Sequence, residues 1–249
     1  MRQILITNDD GIDADGLRRL AEAAKEFGEV WVVAPDGQRS AASHSITLHA
    51  PIDVYPVRYP VEGVHAYKCT GTPGDCVRTG SLGIMSKRPD VVLSGINKGY
   101  NVASDIQYSA TAGAAFEGAF QGYLSIALSE GFGECHEVTD AYLTEILTML
   151  LDRPFAAGTI WNVNFPDCAL EECRGVLRDR TVSKGMFYKD TYDVIAKLPD
   201  DGVRLMVHGT YSEDAEEGTD FRAIVDRFVS IGQVKNIGYN NGALLYYRK

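Results

Sequence analysis

The chain has 249 residues, 45% of them hydrophobic and 23% charged, which suits one large domain, or one domain with an appendage, of an ordinary globular protein. A formal net charge of −10 excludes broad nucleic-acid binding, which needs a basic footprint, and no apolar run approaches the ~18 residues of a membrane span. Five scattered cysteines (Cys69, Cys76, Cys135, Cys168, Cys173) without a CxxC pair predict reduced thiols and no cysteine zinc site; with no signal peptide after Met1, a cytoplasmic protein is expected.

Residues 2–7 (RQILIT) read as a strand, and Leu17, Leu20, Ala21, Ala24 and Phe27 then fall on one helical face before Gly28. A second apolar run at 30–35 completes a βαβ unit, whose parallel strands are buried on both faces and so run apolar instead of alternating. Further strands are expected at 90–96, 125–129 and 159–165, with helices near 110–121 and 138–151 between them. GTPGD (71–75) reads as a turn into a helix with Asp75 in its first turn. The succession predicts an α/β fold: a Rossmann-like, doubly wound, mostly parallel sheet. After residue 174 the pattern changes, and YKDTYDVIAKLPDDGVRLMV reads as a β-hairpin around Pro199–Gly202. The expected division is therefore a catalytic core at 1–174 and a C-terminal extension at 175–249, hairpin plus tail, that packs on another subunit.

Ligands of such sheets bind at the carboxyl ends of the strands, which here carry NDDG, PDGQRSAASHS and NKGYN. Asp9 and Asp10 are adjacent acids at a strand end, an arrangement that raises their pKa values unless a cation lies between them. Oxygen donors select Mg²⁺, Mn²⁺ or Ca²⁺ over zinc or copper. Gly11 supplies the break that lets neighbouring side chains converge. Asp13 and Asp15 suit the plainer role of capping the helix that starts near residue 14. An EF-hand counted from Gly11 fails, because its first position is glycine.

In SGINKGYN (94–101) a Walker sequence is absent; Asn97 offers an amide oxygen to a metal, and Asn101 can donate to a phosphate oxygen. Ser109 and Thr111, with Ala110 between them, open a small-residue helix whose free N–H groups suit an anion, although an ordinary Ser/Thr cap explains them too. QRSAASHSIT (38–47) looks like a mobile loop over the site, and its His44 can donate a proton.

Taken together, NDDGIDADGL, APDGQRSAASHSIT, TGTPGDCV, SGINKGYNVASDIQYSATAGAAFEGA and SIALS, in that order and spacing, resemble the SurE (survival protein E) family of metal-dependent 5′/3′-nucleotidases. The similarity is close over residues 1–130. It implies a Rossmann-like core, one divalent cation per subunit such as Mg²⁺ or Mn²⁺, and hydrolysis of nucleoside monophosphates to nucleoside and phosphate. It also implies a homodimer or homotetramer built partly with exchanged C-terminal segments. Carried over by motif position, the metal ligands are Asp9, Asp10, Ser40 and Asn97. Two departures stand out: Ala110 replaces a glycine common in relatives, which strains the loop if φ there is positive, and Ala41-Ala42 replaces a glycine-bearing version.

The expected chemistry is phosphomonoester hydrolysis by positioning and charge neutralisation, with Asp9, Asp10, Asn97 and His44 as catalytic residues and Asn101, Ser109, Ala110 and Thr111 as the phosphate cradle. The residues leave the general acid open among His44, Asp105, Lys98 and water. A nucleotide- and metal-binding sensor without turnover is the alternative from another class. A dinucleotide-dependent oxidoreductase lacks its GxGxxG, and an aspartyl-phosphate enzyme of the DxDxT type lacks that pattern after the first strand.

Overall fold

The computed structural model describes residues 1–236. In chain order the strands are β1 (Arg2–Thr7), β2 (Gly28–Pro35), β3 (Val54–Pro56), β4 (His65–Cys69), β5 (Val91–Lys98), β6 (Leu124–Glu130), β7 (Thr159–Phe165), β8 (Val176–Leu177), β9 (Tyr188–Lys197), β10 (Val203–Tyr211) and β11 (Val229–Lys235). The α-helices are α1 (Asp15–Ala24), α2 (Pro73–Thr79), α3 (Ala110–Phe120), α4 (Glu137–Leu151) and α5 (Asp220–Val225).

Nine strands form one sheet in the order β3-β4-β2-β1-β5-β6-β7-β11-β8. Six neighbours, from β4 to β7, pair in parallel. The chain enters at β1, winds outward through β2 to β4, and then returns to the other side of β1 to wind outward through β5, β6 and β7. This is the expected doubly wound topology, with its switch point between β1 and β5, where a crevice opens at the carboxyl ends. Antiparallel β3 and β11 flank the parallel block.

Alternate residues of β1 serve opposite layers, because successive side chains of a strand point to opposite faces. Ile4 and Ile6 pack with Leu17, Leu20 and Leu147 of α1 and α4, whereas Leu5 packs with Cys76 and Val77 of α2 and with Tyr123. Each such buried Leu or Ile contributes about 1.5–3 kcal/mol relative to exposure. Two-sided burial is why RQILIT carries an unbroken apolar run.

Helix starts follow local chemistry unequally. At α2, Thr72 Oγ1 accepts from the Asp75 N–H (3.1 Å) and Asp75 Oδ2 from the Thr72 N–H (3.0 Å), a reciprocal cap with Pro73 behind it. At α1 the capping expected of Asp13 and Asp15 is absent: the cap position is Ala14, with no side-chain hydrogen bond. Asp15 instead binds Arg18 (2.6 Å) and Arg19 (2.8 Å), since residues three and four apart face one another on a helix.

Among the described strands beyond residue 174, β8 and β11 join the main sheet and the β9–β10 hairpin forms a separate two-stranded sheet. The hairpin turns as expected, with the Leu198 N–H on the Gly202 carbonyl at 2.8 Å. Both of its strands are largely exposed. The end of the expected extension, 237–249, lies outside the described residues. No described helix is long and apolar enough to cross a membrane.

Candidate active site

The turns at the carboxyl ends of β1 and β5 build the site. After Thr7 the Asn8 side chain closes its own turn, donating to the Gly11 carbonyl (3.0 Å) and accepting the Gly11 N–H (3.2 Å). Gly11 has φ +102° and a hypothetical Cβ 3.2 Å from the Gly37 carbonyl carbon, so the bend excludes larger residues. The strand alternation ends there, at the two acids. Asp9 is 4% exposed. Its Oδ1 accepts from Thr111 Oγ1 (2.6 Å), and its carbonyl from the Arg39 N–H (2.7 Å). Asp10 Oδ2 accepts from the Lys98 N–H at 3.1 Å.

Burial pushes the Asp9 carboxyl up to about 6; the Thr111 hydroxyl opposes the rise and the Asp10 charge adds to it. Burial also raises Asp10, against the Lys98 N–H and the Gln38 side chain. Among the described residues neither carboxylate has an ion-pair partner. Two desolvated acids therefore lie side by side without an ion-pair partner.

β5 slips register against β6 between Ser94 and Asn97, and Asn97 Nδ2 donates to the Gly99 carbonyl at 2.7 Å, which leaves the amide oxygen free. Asp9, Ser40 and Asn97 line one cleft of about 710 Å³. Asp10 borders an adjoining cavity of about 310 Å³ with Glu130 and His136, and Lys98 borders both. Two carboxylates, a hydroxyl and an amide oxygen make a hard-cation donor set. Among the described residues no three His, Cys, Asp or Glu side chains cluster as an alternative metal site.

The remaining expected residues divide. Ser109 lines the cleft and caps α3, its Oγ accepting the Ala112 N–H at 3.0 Å. Ala110 and Thr111 lie fully buried behind it. Ala110 is the first residue of α3 and has no positive φ, so the strain considered for it does not arise. Ala41 does adopt left-handed backbone, at φ +55°. Asn101 borders the cleft, but its Nδ2 donates to Ser129 Oγ (2.7 Å) and its N–H to Asn164 Oδ1 (2.8 Å), contacts that hold the turn.

The 38–47 segment is tied down, contrary to the mobile loop expected. The Ser43 N–H reaches the Tyr108 carbonyl (3.0 Å), Ser43 Oγ the Gln107 carbonyl (2.6 Å), and Thr72 Oγ1 the Ser45 carbonyl (2.6 Å). Thr47 donates its N–H to Asp75 Oδ1 at 2.9 Å and its hydroxyl to Asp75 Oδ2 at 2.7 Å. His44 Nε2 lies 2.9 Å from Glu117 Oε2, on a buried carboxylate that Arg78 and Gln121 also hold. His44 does not line the cleft. Of the other proton-donor candidates, Lys98 pairs with Glu134 at 2.6 Å, whereas Asp105 lines the cleft with its carboxyl raised by burial.

Several contributors carried no signal in the sequence. Behind Asp10, buried Glu130 binds Arg19, His136 and the Thr139 hydroxyl, joining α1, β6 and α4. Phe132 and the root of the hairpin, through Met186, Tyr188 and Tyr211, border the cleft. These are ordinary residues in sequence and meet only through tertiary packing.

A doubly wound α/β sheet whose switch point gathers two carboxylates, a hydroxyl and an amide oxygen near a helix N-terminus places the chain among the α/β proteins that bind ligands at the carboxyl ends of their strands. The family model described as "Survival protein SurE" matches residues 4–186. The chain is 39% identical to the "5'-nucleotidase SurE" of Erythrobacter litoralis, over 92% of this chain and 91% of that protein, and 38% identical to that of Clostridium botulinum, over 92% and 90%. The crystal structure of the SurE protein from Aquifex aeolicus superposes with a TM-score of 0.80 at 33% identity, covering 96% of this chain and 95% of the other. The chain belongs to the SurE family.

Proposed function

We propose that the protein is a divalent-metal-dependent 5′-nucleotidase that hydrolyses nucleoside monophosphates to nucleoside and phosphate. The observation that carries this reading is the buried Asp9 carboxylate, lacking a cationic partner, beside Asp10 and the free Asn97 amide oxygen at the switch point. Asp9, Asp10, Ser40 and Asn97 would hold one Mg²⁺ or Mn²⁺. When bound, such an ion neutralises developing charge on the phosphoryl group and activates water.

The chain's own residues supply the rest. Thr111 holds the Asp9 carboxylate in place. The N-terminus of α3, where Ser109 lines the cleft, favours the phosphoryl dianion through the helix dipole. Asp105, in the cleft with a raised pKa, is positioned to give a proton to the leaving alkoxide. The exposed apolar side chains of the hairpin fit a second copy of this chain, so the extension's role is assembly into a dimer or tetramer. Five free thiols fit the cytoplasm as its location.

The name 5′-nucleotidase carried by the relatives supports turnover over a binding-only sensor. Release of inorganic phosphate from nucleoside monophosphates with Mn²⁺ or Mg²⁺, abolished by chelation, tests the reading. Tight nucleotide binding without phosphate release would establish the sensor instead.

A further inference from the structure

We propose that Phe132 is the surface on which the substrate's nucleobase stacks, so that a residue two positions past the end of β6, not the cation-binding donors, sets the preference for nucleotides over simple sugar phosphates. The inference rests on the nucleoside monophosphate reading of the site.

Phe132 borders the same cleft as Asp9, Ser40 and Asn97. Its side chain is 50% exposed, a large apolar area to leave beside a polar site. The covered part abuts Gly99: a Cβ on that glycine would stand 2.7 Å from the ring's Cζ and 3.0 Å from Cε1. Gly99 is the residue whose carbonyl takes the Asn97 side-chain N–H. One main-chain contact thus separates the ring from an expected cation donor.

The main chain that carries the ring is also held. Gly131 and Gly133 lie so close to Asp167 that a Cβ on either would overlap its side chain. The Gly133 N–H donates to Asp167 Oδ2 at 2.7 Å, and the Asp167 N–H donates to Tyr100 Oη at 2.7 Å. Tyr100 precedes Asn101, whose main chain is fixed by Asn162 and Asn164. Gly131-Phe132-Gly133 is therefore laid on an anchored carboxylate with its aromatic side chain turned to the cleft. A ring presented in this way has little freedom to lose on binding, and base stacking on an aromatic side chain needs no particular base.

The test compares kcat/KM of wild type, Phe132→Ala and Phe132→Trp for adenosine monophosphate and for ribose 5-phosphate, which keeps sugar and phosphate but lacks the base. Calorimetric Kd values for both compounds and for Mn²⁺ are measured on the same proteins. The ratio of adenosine monophosphate to ribose 5-phosphate, in kcat/KM and in affinity, falls about tenfold in Phe132→Ala, mainly through KM, and returns in Phe132→Trp. An unchanged ratio overturns the proposal. So does an equal loss for both compounds with weakened Mn²⁺ binding, which would make Phe132 a buttress of the Asn97–Gly99 turn. Absence of phosphate release from the wild type would sink the nucleotidase reading alone, because the affinity ratio still decides the role of Phe132.

Discussion

The Thr111 hydroxyl donates to Asp9 Oδ1 at 2.6 Å, joining the first turn of α3 to the end of β1 across 102 residues of chain. The bond lowers the carboxyl's pKa against the burial that raises it, and it fixes the oxygen's direction. Thr111→Val keeps the shape and removes the donor. Groups that orient a metal ligand typically contribute 10–100-fold, so Mn²⁺ affinity and kcat/KM should both fall by about that factor, with Thr111→Ser retaining most of each. Calorimetry that found Mn²⁺ binding intact in Thr111→Val would remove Thr111 from the site.

Asp9→Asn separates folding from function. The wild type carries a buried charge without an ion-pair partner, so the cation-free variant should melt at or above the wild-type temperature. Phosphate release should be lost. Thermal scans with and without Mn²⁺ check the cause: cation at 100 times its Kd stabilises the wild type by about 2.7 kcal/mol and leaves the variant unmoved.

For His44 the structure indicates a strut between its loop and Glu117. Removal of a general acid typically costs about 10²–10⁴-fold in rate. His44→Ala should cost less than about tenfold in kcat and leave the shape of the pH–rate profile as it was. Asp105→Asn should show the larger loss in kcat and flatten one limb of that profile. A bell-shaped profile that loses a limb in His44→Ala instead would restore the histidine to catalysis.

Asp75 makes stability sensitive to acid. Burial pushes its carboxyl up, but the donors of Thr47 and Thr72 outweigh this and hold it below the ordinary 3.8. A carboxyl lowered on folding contributes stability above its unfolded pKa, and that contribution is lost as pH falls through the folded value. Asp75→Asn should destabilise by about 1–3 kcal/mol at neutral pH, with the gap to wild type closing below pH ~4. Denaturant titrations across that range measure the gap, and a gap that widens in acid contradicts the assignment.

Val194, Ile195, Leu205 and Val207 of the hairpin are each about half exposed. Replacing Ile195 and Leu205 by serine should shift sedimentation velocity toward a smaller species while far-UV circular dichroism holds. Unchanged assembly would place the interface elsewhere.

Much of this architecture could be read from periodicity. Unbroken apolar runs such as ILI and VWVVAP identified strands covered on both sides, and NDDG identified the end of one at which a cation would compensate two acids. The turn at Pro199–Gly202 and the helix start after GTPGD, with Asp75 in its first turn, were equally plain, because each is settled by residues within four positions of one another. Asp15 shows where such local reading stops: cap and arginine partner were both within reach, and the arginines took it.

Long-range partners left no such trace. His44 read as a proton donor on a loop, and nothing near it in sequence showed that α3 brings Glu117 to it, 73 residues away. The pairings of Glu130 with Arg19, of Thr111 with Asp9 and of Phe132 with Gly99 leave no mark in either partner's own segment. Likewise nothing local announced that β11 would rejoin the sheet antiparallel to β7 while, among the described strands, the β9–β10 hairpin stays outside it. Hydrophobic period and turn chemistry are properties of neighbours along the chain and so are written in residue order. Which carboxylate is desolvated, which histidine is paired and which ring faces the cleft depend on what the packed sheet brings alongside, and that is set by the whole core at once.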